Sequence, residues 1–170
     1  MKLIIKSLFV LGLITMSACQ VLPERKDEPA DVRDATIDAK INPKDQQESV
    51  LETVPLMNNA ILTLYNNANE LYKANQFNQA IASLERAYEI QPNVGKITQL
   101  LAEIQLHKGD FKQAHYWATI ATNNGPAKGS SCEKSWRILA VTSEKLGYVS
   151  QQTQALESQH NCLVKAQNRY

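Results

Sequence analysis

The chain has no excess of either charge: 18 lysines and arginines stand against 17 acids in 170 residues, a formal net charge of +1. It therefore lacks the general basic field that nucleic acid requires and the acidic surface that suits a cationic partner. Catalytic signatures are missing too. The 3 histidines, His107, His115 and His160, form no paired-histidine helix motif, and neither a glycine-rich phosphate loop nor a nucleophile elbow occurs. No pair of carboxylates suggests a hydrolytic cleft. Strand-like alternation is absent, and the N-terminal apolar run, residues 8–14, is too short to cross a bilayer as a mature helix. These absences argue against an enzyme and a nucleic-acid binder, and they predict no cofactor, no metal and no small-molecule substrate. With 44% hydrophobic and 21% charged residues, the chain can bury one modest soluble core.

What is present begins at the N-terminus. Lys2 and Lys6 precede the apolar run, which leads into Met16-Ser17-Ala18-Cys19. That tetrapeptide resembles the lipobox of bacterial lipoproteins, with Met16 in place of the commoner leucine. The resemblance implies a signal peptide over residues 1–18 and acylation of Cys19; the alternative is an ordinary secretory signal with an incidental cysteine. Three acyl chains exceed the two signals needed for stable anchoring. Gln20 follows, and in lipoproteins of this kind the lack of an aspartate there favours the outer membrane, with the chain facing the periplasm.

Residues 19–55 are expected to be the lipidated cysteine and a disordered, charged linker. The stretch after Cys19 holds Pro23, Pro29, Pro43 and Pro55, no aromatic residue, nine acids and five bases, a composition that cannot bury a core. As a coil it would average about 35 Å between its ends, and fully extended about 120 Å.

Beyond Pro55 apolar and small residues recur at helical spacing. Ala68, Phe77, Ala80, Ala87 and Pro92 reappear 34 positions later as Ala102, Phe111, Ala114, Ala121 and Pro126. This is the tetratricopeptide (TPR) period: small residues let paired helices approach, the aromatic packs at their turn, and proline ends the second helix. Asn75-Gln76 and Gly109-Asp110 supply turns. A weaker third copy follows an insertion within 126–131, with Ala140 and Gly147 in register. Its last helix has Gln152 and Gln159 where alanines stood, as suits an end cap. The expectation is an all-α solenoid over residues 56–170, six helices in three antiparallel pairs, near 56–74, 77–90, 95–108, 111–123, 132–146 and 150–166.

Cys132 opens the third pair and Cys162 nears its end, so antiparallel packing brings them together. In an oxidising compartment a disulfide is the better account, contributing about 3 to 4 kcal/mol; two free thiols are the alternative. A zinc site of Cys132, His160 and Cys162 matches no established finger spacing. TPR domains as a family bind peptides or protein segments on the concave face, lined by the first helix of each pair. By register that face comprises Leu62, Tyr65, Asn69, Tyr72 and Lys73, then Lys96, Gln99, Glu103 and His107, then Lys134, Arg137, Val141 and Lys145. Tyr65, Tyr72 and Arg137 stand out, because aromatic and arginine side chains dominate interface energetics.

Anchor, charged linker and C-terminal repeats together resemble the LpoP-type outer-membrane lipoproteins that activate a bifunctional penicillin-binding protein. The resemblance implies a non-catalytic regulator of peptidoglycan synthesis with a protein partner and a membrane contact through lipid alone. TPR lipoproteins that help assemble outer-membrane secretins or pilus machines are the rival resemblance; they are commonly longer, with less linker.

Overall fold

The computed structural model describes residues 33–44 and 56–163. The expected signal peptide, Cys19, most of the expected linker and the last few residues lie outside them. Seven helices occur among the described residues: α1 (Ala35–Ile41), α2 (Asn59–Lys73), α3 (Phe77–Ile90), α4 (Gly95–Lys108), α5 (Phe111–Asn124), α6 (Ser130–Leu146) and α7 (Val149–Asn161). Helices α2 to α7 are the three antiparallel pairs of a TPR-like solenoid, and no described residue is in a strand. No helix of the described residues is long and apolar enough to cross a membrane.

Local chemistry sets the helix ends. The Asn58 side chain accepts the Ile61 N–H at 3.0 Å, so α2 begins at Asn59 rather than at residue 56. Asp110 caps α5 in the same way through the Gln113 N–H. The turn inside each pair is built alike three times: Gln76, Asp110 and Tyr148 donate their N–H groups to the carbonyls of Leu71, Gln105 and Ser143, five residues back. Such a turn needs one left-handed residue. Asn75 (φ 57°), Gly109 (φ 82°) and Gly147 (φ 73°) provide it.

Close approach explains the repeated small residues. Ala68, Ala80, Ala87, Ala102, Ala114 and Ala121 are fully buried, among Phe77, Leu84, Ile97, Leu101, Ile104 and Leu106. A Cβ on Gly95 would lie 2.7 Å from the Gly125 Cα, so the start of α4 and the end of α5 touch through backbone. Tyr88 and Trp117 pack edge-to-face, with ring centroids 5.0 Å apart. The insertion forms the loop from Gly125 to Gly129, and α6 starts at Ser130, two residues before its expected beginning. In α7 Ala155 is the buried helical residue, and Val149 and Leu156 face outward, as on an end cap. A disulfide joins Cys132 to Cys162 with Cα atoms 5.6 Å apart, tying the start of α6 to the end of α7.

The seventh helix lies where a disordered linker was expected. Residues 33–44 of that span hold α1, and average composition hid it. Asp34 caps α1 by accepting the Thr36 N–H at 2.8 Å and the Thr36 hydroxyl at 2.6 Å. Ile37 and Ile41, one turn apart, are both buried against the solenoid. Two isoleucines are too few for a core of their own but enough for one face of a helix laid on an existing surface.

Candidate functional site

Helices α2, α4 and α6, the first of each pair, carry the residues of the expected concave face; α1 packs chiefly on α6, its Asp38 faces α4, and the preceding Arg33 and Asp34 reach α2 and α4. At its start the Arg33 guanidinium sits over the Tyr72 ring of α2, 5.1 Å from the centroid. The Asp34 N–H donates to His107 Nδ1 of α4 at 3.2 Å. At its end the Ile41 carbonyl accepts from Arg137 Nε of α6 at 3.1 Å, which places a guanidinium at the negative end of a helix. On the rim Lys40 forms an ion pair with Glu144 at 2.7 Å.

Beneath α1 the polar groups are bound to one another. Glu103 accepts the Tyr72 hydroxyl at 3.2 Å and pairs with Lys134 at 2.7 Å. Arg137 Nη1 pairs with Glu133 at 3.3 Å, while Nη2 is buried with no hydrogen-bond partner among the described residues. Burial lowers the Arg137 pKa against the opposing pull of Glu133. Burial, then the Glu103 charge, raises the Tyr72 phenol well above its ordinary range.

His107 is the pivot of this cluster. Because Nδ1 accepts a backbone N–H, the neutral ring carries its proton on Nε2, which faces Asp38 Oδ1 at 3.3 Å without reaching hydrogen-bond geometry. Burial lowers its pKa, and the Asp38 carboxylate opposes this. Asp38, Glu103 and His107 offer ligand atoms within 4.8 Å of one another. They do not suit a metal: freeing Nε2 would move its proton to Nδ1, against the Asp34 N–H, and Glu103 is already held by Tyr72 and Lys134.

The concave face named from the repeat register therefore divides in two. Tyr72, Glu103, His107, Arg137 and Val141 are buried, and Lys134 is half-buried beside them. Arg137, expected to stand free for a partner, is instead committed to Ile41 and Glu133. Lys145 stays exposed at the edge, 5.7 Å from the Phe111 ring centroid, and Lys73 pairs with Glu70 in solvent. The other half remains accessible: Leu62 is 44% exposed, and Tyr65, Asn69, Lys96 and Gln99 are half-buried. Gln99 is held by the Ser131 carbonyl and the Ser135 hydroxyl, each at 2.7 Å. The register could not reveal α1, which lies outside the repeat. The available signal was local: Asp34 two residues before Thr36, isoleucines four apart, then Pro43.

Comparison with known proteins agrees with the fold. The tetratricopeptide repeat family model matches residues 71–115. No curated protein matches the sequence. Among solved structures, the globular C-terminal domain of P. aeruginosa LpoP is similar, with 25% identity and a TM-score of 0.52, over 59% of this chain and 99% of that one. The second TPR of Spaghetti (RPAP3), solved with an HSP90 peptide, superposes with a TM-score of 0.55 at 15% identity, over 61% of this chain and 93% of its own, a likeness of fold alone. The chain is thus similar to TPR proteins across its repeats and to the C-terminal domain of LpoP.

Proposed function

We propose that this protein is a non-catalytic regulator that binds and activates a peptidoglycan synthase, a bifunctional penicillin-binding protein, from the periplasmic face of the outer membrane. The observation that carries this reading is the likeness to nearly the whole globular domain of LpoP, and the lipobox-like Met16 to Cys19 agrees with it. On this reading acylated Cys19 anchors the chain, the following segment carries the solenoid toward the cell wall, and the domain docks on the synthase. Differential affinity for the synthase's active conformation then shifts its population. The accessible half of the concave face, centred on Leu62 and Tyr65, is the first contact surface. A photoreactive residue at position 65, activated in intact cells, should capture a bifunctional synthase. Capture of a secretin instead would overturn the assignment in favour of an assembly role.

A further inference from the structure

The closed half of the groove has the features of a ligand site whose ligand is part of the same chain. α1 contributes a short helix with an aliphatic pair one turn apart, Ile37 and Ile41, and an acidic edge, Asp34 and Asp38. The groove answers at both ends and on its rim: Arg137 at the helix's C-terminal carbonyl, His107 against its N-terminal turn, and Glu144 with Lys40. We infer that α1 is an intramolecular stand-in for a partner helix. The closed half of the groove recognises a short amphipathic helix with aliphatic residues at i and i+4, and α1 must leave before such a helix enters.

Three observations favour a displaceable occupant over a permanent part of the solenoid. First, α1 lies outside the 34-residue repeat, and none of the three pairs needs it for the contact between its own two helices. Second, much of its attachment is polar, through Arg33, Asp34, Lys40 and the Ile41 carbonyl, with only two apolar side chains buried. Third, with α1 in place Arg137 Nη2 is buried without an acceptor among the described residues. A buried guanidinium donor is costly to leave unmatched, so a competing helix that supplies an acceptor there gains a contact that α1 lacks. In α1's favour stands its covalent connection through residues 45–55, since a ligand on a short connection acts at an effective concentration on the order of millimolar. The groove is thus set to reject weak helices and admit a matched one. The inference rests on the reading of the domain as a protein-binding module, and not on the identity of the synthase.

The test uses the detergent-solubilised full chain and a fluorescent peptide of residues 33–44 as the probe. In the chain carrying Ile37→Asp and Ile41→Asp the built-in helix no longer docks, and the peptide should bind in trans at least about tenfold more tightly than to the wild type, since closed-state occupancy divides apparent affinity. Adding Arg137→Ala to that chain should remove the gain, and a peptide with both isoleucines replaced by aspartate should not compete. Lys40→Glu, an exposed change that sets two acids against each other at Glu144, should shift affinity the same way by a smaller factor, with no demand on folding. Equal peptide affinity in the wild-type and double-variant chains, or no saturable binding to the double variant, would overturn the proposal. If the peptide results hold while no synthase is captured at position 65 in cells, it is the synthase assignment that fails.

Discussion

Replacing both bridged cysteines by alanine removes a constraint whose size follows from the chain. The bridge closes a loop with a sequence separation of 30, and the entropy of such a loop in the unfolded state corresponds to about 3 to 4 kcal/mol at 25 °C. Domains of this size are stable by roughly 5–15 kcal/mol, so Cys132→Ala with Cys162→Ala should be folded but markedly weaker. Alanine is the right replacement because both cysteines are buried, and serine would bury two hydroxyls. The loss should be uneven. In α7 only Ala155 is buried, and near its end the Gly129 N–H donates to the Cys162 carbonyl at 2.9 Å, so without the bridge its last turns should open first. Urea unfolding followed by circular dichroism measures the total, and hydrogen exchange resolves its distribution, with α7 amides losing protection before those of α4. Reducing the wild type should reproduce the variant. A loss below about 1 kcal/mol would refute the loop-entropy reasoning. So would uniform exchange across α4 and α7.

Cys19→Ala should leave the precursor unlipidated and free any processed product from membranes, and fractionation checks this; wild-type recovery with outer membranes contradicts the anchor. Ala114→Leu should destabilise the fold by about 1–3 kcal/mol, because Ala114 is fully buried where paired helices meet, whereas Tyr65→Ala should chiefly weaken synthase binding, by about 1–3 kcal/mol if it is a hot spot. Melting curves and binding titrations separate the two, and a reversed ranking would place the site elsewhere. For His107 the sign is fixed by burial. Its folded pKa lies below its ordinary 6.5, so the folded domain holds fewer protons than the unfolded chain, and stability rises with pH. That contribution is complete above about pH 7.5 and is lost as pH falls through 6.5 toward the lower folded value. The urea midpoint should therefore fall from pH 7.5 to 5.5 more steeply in the wild type than in His107→Leu, and equal slopes would contradict a buried neutral imidazole.

The solenoid was legible because its determinants are local and recur. A left-handed residue ends the first helix of each pair, at Asn75, Gly109 and Gly147, and alanines mark where helices cross, so one period fixes both turns and packing. The boundary errors have equally local causes: capped by Asn58, α2 starts three residues later than the apolar pattern, and α6 reaches back to Ser130. Helix α1 was not legible at the same scale. Acids and prolines are frequent in residues 20–55, and the free energy that holds α1 in place comes from a surface assembled by other helices, chiefly α6 and α4. Two isoleucines carry no period that a window average can detect.

The same distinction governs the site. Register identifies which side chains face the concavity, because that depends only on helical phase, and it brings together Tyr72, Glu103, His107, Arg137 and Val141. It does not say whether those groups are free, since that depends on segments far away in sequence. Arg137 shows the difference: by phase it is an exposed cation suited to a partner, yet its Nε is bound to the carbonyl of a residue 96 positions earlier. A charge count over the groove therefore overstates what a partner meets, because Lys134 is neutralised by Glu103 and Arg137 by Glu133. On the proposed reading, the surface that a partner meets first is the less charged half around Leu62 and Tyr65, and the strongly polar half opens only to a ligand able to replace what α1 supplies. Specificity would then arise from competition between two helices for one surface, so a segment lacking the aliphatic pair is rejected even when its charge is complementary.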